Sequence, residues 1–156
     1  EYNSVLEWGG GYGNIAKIVK RMNREMTYTI VDLPLLSCVQ WLYLSTILGE
    51  DEVNIITESK VGIRRGKINL LPLGLLQEQT LKNDVFIATW SLSESSKFAQ
   101  DYVQSINYFG AEHLLLAFQE SSQRHPYASR IRDLVMKRGA MVETIDFLPG
   151  NYYAFS

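Results

Sequence analysis

The stretch that decides the fold is Ser4-Val5-Leu6-Glu7-Trp8-Gly9-Gly10-Gly11-Tyr12-Gly13. A short strand-forming run ends in glycines at positions 9, 10, 11 and 13, and then Ile15, Ile18, Val19 and Met22 recur at the spacing of one helical face. The order is strand, glycine turn, helix. Without a Cβ, such a turn can adopt positive φ and lay bare peptide groups against a flat or charged ligand. Lys17, Lys20, Arg21 and Arg24 fall on the other face and read as a solvated basic surface that complements the helix C-terminus.

Working outward, residues 27–33 (Thr-Tyr-Thr-Ile-Val-Asp-Leu) form a second strand, and Pro34 suits the first turn of a second helix, where a missing N–H costs nothing. That helix, from residue 34 to about residue 48, is apolar nearly all round, with Leu35, Leu36, Val39, Trp41, Leu42, Tyr43, Leu44, Ile47 and Leu48. A sheet covers only one side of such a helix, so the rest expects an additional N-terminal segment or a second subunit, and a homo-oligomer through this helix is one expectation. Residues 53–57 and 67–71 are short strands, the second preferred as the core strand, and the polar stretch between them suits a hairpin or loop. Residues 84–90 and 114–118 are unbroken apolar runs, as expected of strands covered on both faces. Helices are expected over residues 95–108 and 127–138, and residues 141–147 with 152–155 around Pro149-Gly150-Asn151 read as a closing hairpin.

This alternation predicts an α/β fold over residues 1–156, a doubly wound, mostly parallel sheet with a C-terminal antiparallel hairpin, in one domain. Such sheets bind ligands beyond the carboxyl ends of their strands, where strand order reverses. Composition narrows the ligand. Fifteen Lys and Arg against 17 Asp and Glu leave a net charge of -2, without the basic surplus that holds nucleic acid. One cysteine, Cys38, and two histidines allow neither an internal disulfide nor a four-ligand zinc site, so no metal and a reducing, cytoplasmic compartment are expected. The most apolar window, residues 33–49, contains Pro34, Ser37, Gln40, Ser45 and Thr46 and falls short of the roughly 20 apolar residues that span a bilayer, so no membrane is expected. The sequence opens at Glu1 rather than Met, and a further N-terminal segment is expected.

The glycine turn gains meaning from Asp32, which ends the second strand 21 residues after Gly11 and so belongs beside the turn at the same sheet edge. A carboxylate there can accept both ribose hydroxyls of a nucleoside. It lies two residues before Pro34 and also favours the N-terminus of the next helix. A dinucleotide fingerprint fits less well. Counted from Gly9 its sixth position is Asn14, and counted from Gly11 it is Ala16, which leaves Glu7 without a role. No phosphate-cradling G-x-x-x-x-G-K-[ST] loop occurs.

Glu7-x-Gly9-x-Gly11-x-Gly13, with Asp32 ending the next strand, resembles the motif of class I S-adenosylmethionine-dependent methyltransferases, and the resemblance covers nearly the whole chain. More narrowly, the segments around Glu7–Gly13 and Tyr28–Pro34, together with Ile68-Asn69-Leu70-Leu71-Pro72 and Ser91-x-x-Glu94, are similar to bacterial sugar O-methyltransferases. The resemblance implies S-adenosylmethionine as cofactor, bound by Glu7, Gly9, Gly10, Gly11, Tyr12 and Gly13. Glu7 would favour the cationic amino acid end and Asp32 would hold the ribose. Leu33, Leu71, Pro72 and Leu73 would flank the adenine, with Thr89 and Trp90 beneath the methyl group.

A sugar hydroxyl is a weak nucleophile at neutral pH, so a general base within hydrogen-bond reach is expected. By position the catalytic candidates are His125 after the fifth strand and Glu94 after the fourth. Glu120 is a third, and His113 falls at the opposite edge. Thr89-Trp90-Ser91-Leu92 is unlike the Asn/Asp-Pro-Pro-aromatic motif of amino-modifying DNA methyltransferases, and Cys38 inside the second helix reads as a small buried hydrophobe rather than a nucleophile. The expected partner is a small hydroxylated acceptor such as a sugar. The alternatives are an NAD(P)-dependent oxidoreductase and a catalytically silent interaction module.

Overall fold

β1 (Ser4–Trp8) lies mid-sheet, hydrogen-bonded in parallel to β2 (Thr27–Asp32) on one side and to β5 (Val85–Thr89) on the other. The computed structural model describes residues 2–156. Beyond β2 come β4 (Ile68–Pro72) and the edge strand β3 (Val53–Ile55), both parallel. Beyond β5 come β6 (His113–Gln119), parallel, and then β8 (Asn151–Phe155) and β7 (Met141–Thr144), which are antiparallel. The order β3-β4-β2-β1-β5-β6-β8-β7 makes the mostly parallel sheet with a terminal hairpin that the sequence indicates. Strand order reverses between β1 and β5, so a crevice opens at their carboxyl ends.

Each face of the sheet carries its own apolar cluster. Alternation along β1 sends Leu6 and Trp8 to one side, with Phe86, Tyr108, Phe109 and Phe118, and sends Val5 to the other, with Tyr28, Ile30, Leu44 and Ile87. On the second side lie α1 (Asn14–Met22) and α2 (Pro34–Leu48). The first side holds α3 (Ser91–Glu94), α4 (Lys97–Ser105) and α5 (Arg130–Lys137).

The structure differs from the sequence reading in several particulars. Residues 53–55 and 68–72 pair in parallel, so the polar stretch between them is a crossover and not a hairpin. The α1 face is rotated. Ile15 and Val19 pack inward, but Ile18 and Met22 are exposed, and Lys20, expected in solvent, is buried. Its ammonium donates to the carbonyls of Arg24, Met26 and Gly66 and pairs with Glu52 at 3.6 Å, which satisfies the charge where it leaves water. The helix expected from residue 95 begins two residues later, with Ser96 Oγ accepting from the Ala99 N–H at 3.2 Å as its cap. It ends early because Asn107, Tyr108, Phe109 and Gly110 all take positive φ. This left-handed turn directs the Tyr108 and Phe109 rings onto Phe86.

α2 is built inside out. Its buried residues are Ser37, Gln40, Leu44 and Ser45, whereas Leu35, Val39 and Leu42 are exposed. Cys38, expected to be buried, is exposed as well. Of the three inward polar residues, Ser37 and Ser45 donate to the Leu33 and Trp41 carbonyls of their own helix, and Gln40 reaches the glycine turn. Among the described residues no helix is long and apolar enough to cross a membrane.

Phe86, fully buried between Tyr108 and Phe109, tests the first cluster. Phe86→Ala removes a ring from close-packed surroundings, and urea denaturation is expected to show a loss of about 3–5 kcal/mol.

Candidate functional site

The turn after β1 is closed by its surroundings. The Gly9 N–H donates to the Val31 carbonyl at 2.9 Å and the Gly13 N–H to the Gly10 carbonyl at 2.8 Å, and Gly13 then caps α1. At Gly10 a methyl group would stand 2.7 Å from Ile30 Cγ2 and 3.0 Å from Glu7 Oε2, so only hydrogen fits. At Gly11 the reason for glycine differs. A Cβ there would meet nothing within 4 Å, but φ is +56°, and the residue faces an open cleft.

That cleft, of about 510 Å³, sits at the reversal between β1 and β5 and falls in the size range of small-molecule sites. Of the residues singled out in the sequence, Gly9, Gly11, Asp32, Leu33, Leu73, Thr89 and Glu94 line it. Leu33 and Leu73 stand at its mouth with 57% and 39% of their surface exposed, an apolar pair free to clasp a flat ring. Trp8, Val31, Leu36, Ser91, Ser95, Ser96 and Ala99 complete the wall. Ser91 belongs to the Ser91-x-x-Glu94 segment, but Ser95 and Ser96 escaped sequence reasoning because nothing in Ser91-Leu92-Ser93-Glu94-Ser95-Ser96 marks a break between two helices. In the structure Ser91 Oγ donates to the Trp8 carbonyl, and Ser95 Oγ accepts from the Trp8 indole N–H at 3.3 Å, so α3 is fastened to the end of β1.

The remaining named residues lie around the cleft rather than on its wall. Gly10 and Gly13 form the back of the turn, and Tyr12 is half exposed, edge-on to Tyr43 at 4.9 Å. Leu71 is fully buried in β4, and Pro72 ends that strand. Trp90 follows β5 with φ 64°, a conformation few non-glycine residues adopt, and its indole N–H donates to Asn151 Oδ1 at 2.7 Å. His125 lies in the loop after β6, with its backbone N–H donating to Ser122 Oγ. Glu120 follows β6 and accepts from the Tyr152 hydroxyl at 2.7 Å, and His113 stands at the start of β6, at the opposite edge.

Glu7 is directed behind the turn, 1% exposed, and accepts a hydrogen bond from the Tyr28 hydroxyl at 2.9 Å. Burial pushes its carboxyl up to about 7, against the pull of Tyr28 and with help from the charge on Asp32. Asp32 is also raised by burial, but its oxygens are well supplied with donors. The Leu33 N–H reaches Oδ1 at 2.7 Å, the Gln40 side-chain amide reaches Oδ2 at 2.8 Å, and the backbone at Gly10 and Gly11 further favours the ionised form. The cleft wall therefore carries the carboxylates of Asp32 and Glu94 and, among the described residues, no Lys, Arg or His. Such a wall is complementary to a hydroxyl-bearing cation and opposes a polyanion. Among the described residues no group of three His, Cys, Asp or Glu is arranged to hold a metal ion.

The buried Glu7 makes stability depend on pH. An unfolded glutamate titrates near 4.5 and the folded one near 7, so the folded chain holds the proton more tightly over that interval. Its advantage is complete below about 4.5 and is lost as pH rises to 7, a change on the order of 3 kcal/mol. Glu7→Gln keeps an acceptor for Tyr28 without the charge, and is expected to flatten this slope and to raise the urea midpoint at pH 8 relative to the parent chain.

No family model and no curated protein matches the chain. Solved structures do. An O-methyltransferase family protein from Burkholderia thailandensis superimposes over 99% of the chain with a TM-score of 0.69 at 14% identity, the match covering 50% of that protein. Human N-acetylserotonin methyltransferase, solved in complex with SAM, matches 99% of the chain with a TM-score of 0.60 at 11% identity and 47% coverage. The methyltransferase domain of bacterial CtHen1 matches 99% with a TM-score of 0.64 at 11% identity and 89% coverage. The chain spans about half the length of the first two. At these identities the likeness shows the fold alone, one that the chain shares with these methyltransferases.

Proposed function

We propose that this chain binds S-adenosylmethionine in the β1/β5 cleft and transfers its methyl group to the hydroxyl of a small acceptor. The observation that carries the reading is the charge of the wall. Two carboxylates and, among the described residues, no basic side chain surround bare peptide at a strand-order reversal, which suits a cationic nucleoside better than a polyanion. The residues present fit the group. Gly11 leaves open the space that a Cβ would fill, Asp32 offers carboxylate oxygens to ribose hydroxyls, and Leu33 and Leu73 offer apolar contact to a base.

When bound, S-adenosylmethionine supplies an electrophilic methyl group on a sulfonium. The chain's part is to position and to manage one proton. The turn and Asp32 fix the nucleoside end, and much of the acceleration of such an in-line displacement comes from holding the acceptor oxygen in place. Glu94, exposed at the cleft beside Ser95 and Ser96, is assigned the role of accepting the hydroxyl proton at a carboxylate oxygen as the new C–O bond forms. His125, outside the wall, is the second candidate for that role. A polyhydroxylated acceptor such as a sugar is the one we favour: the Ser91 and Ser95 hydroxyls are engaged with Trp8 and the α3 backbone, and Glu94 and Ser96 line the cleft to meet its hydroxyls.

Titration calorimetry with S-adenosylmethionine tests the reading, with NAD and NADP as controls. Binding of the first alone is expected, and a response only to a dinucleotide would overturn the proposal. Asp32→Ala is expected to weaken cofactor binding by about 1–3 kcal/mol. Glu94→Gln is expected to lower methyl transfer to a panel of sugars about 100-fold at unchanged cofactor affinity, whereas the same loss in His125→Ala alone would move the proton to that residue.

A further inference from the structure

Gln40 is fully buried in α2, yet a leucine or methionine at that place would bury more easily. Its side-chain N–H₂ donates to the Gly11 carbonyl and to Asp32 Oδ2, both at 2.8 Å. Both partners are acceptors only, so the amide has one orientation that satisfies them. The cost is visible at its other end. Among the described residues Gln40 Oε1 is buried without a hydrogen-bond partner. A residue kept only to pack α2 would gain nothing from that arrangement, whereas one that supplies two N–H donors to the glycine turn and the adjoining carboxylate makes use of it.

We propose that Gln40 is a positioning residue of the cofactor site, an inference that rests on the cofactor reading above: it ties the peptide at Gly11 to the carboxylate of Asp32 and so fixes the two groups that would grip the adenosyl moiety. Each of the two has freedom to lose. Gly11 has no side chain and no neighbour within 4 Å of its Cβ position; its N–H side is bonded to Asp32, and its carbonyl is held by Gln40. Asp32 Oδ1 is held by the Leu33 N–H, the backbone at Gly10 and Gly11 also bonds the carboxylate, and Gln40 is the one side chain that joins Oδ2 to the Gly11 carbonyl. The linkage also governs charge. Glu7 on β1, paired to Tyr28 on β2, and Glu94 on α3 are the other acidic groups around Asp32, and it is burial that raises the carboxyl of Asp32. The amide of Gln40 is one of the groups that oppose that rise.

The test compares the parent chain with Gln40→Met, nearly isosteric and without donors, and Gln40→Glu, which can donate only when protonated. Two measurements are made, calorimetric affinity for S-adenosylhomocysteine between pH 5.5 and 8.5, and the carbon-13 titration of the Asp32 carboxyl in the ligand-free chain. Gln40→Met is expected to weaken binding about tenfold and to move the Asp32 titration to higher pH, a shift that loss of packing alone would not produce. In Gln40→Glu the deficit relative to the parent is expected to be larger at pH 8.5 than at pH 5.5, which keeps the test in force if the methionine variant does not fold. Parent-like affinity and an unmoved Asp32 titration in a chain that binds S-adenosylhomocysteine would overturn the role of Gln40 alone. Failure of the parent chain itself to bind would overturn the cofactor reading and this inference with it.

Discussion

The peptide at Gly10 passes between Ile30 Cγ2 and the carboxyl of Glu7 with no room for a methyl group. Because the turn must run there, β1 ends where it does, Gly13 starts α1, and Gly11 is left facing open space. The same passage brings the backbone within reach of Asp32 at the end of the neighbouring parallel strand, one register position beyond the pairing of Trp8 with Val31. Site and fold thus share one steric constraint.

Behind and beside that turn the protein gathers negative charge. Glu7, buried against Tyr28, and Asp32, buried at the strand end, both feel the loss of water, and the charge on Asp32 raises the affinity of Glu7 for a proton. The two are resolved differently. Glu7 has a phenol as its hydrogen-bond donor and sits near neutrality, whereas Asp32 has backbone and amide donors that hold its charge within the ligand-facing cleft. A site so provisioned favours a ligand that brings positive charge.

Much of this was legible in the chain because it rests on local rules. The alternation of periods, the glycines after Trp8 and the position of Asp32 each follow from backbone sterics or strand geometry, and the parallel sheet and its closing hairpin formed where those rules put them. What was not legible depends on contacts distant in sequence. Lys20 reads as a surface residue until Gly66, 46 positions away, supplies a carbonyl to it. The split between α3 and α4 depends on Trp8, more than 80 residues earlier, offering its carbonyl to one serine and its indole N–H to another. Gln40 gave a local hint, since Ser37, Gln40 and Ser45 share a face, but apolar residues on the rest of the helix drowned it.

The inverted build of α2 has a consequence for how this chain tolerates change. In an ordinary surface helix the oily side resists substitution and the polar side accepts it. Here Leu35 and Leu42 occupy solvent and can give way to charged residues at little expense to the folded state, while Ser37 and Ser45 are buried and a larger side chain there would have to displace its neighbours. A saturation screen for folding alone would therefore find Leu35, Val39 and Leu42 permissive and Ser37, Gln40 and Leu44 restrictive. Hydropathy alone would not tell Leu42 from Leu44, two residues apart on opposite sides of that divide.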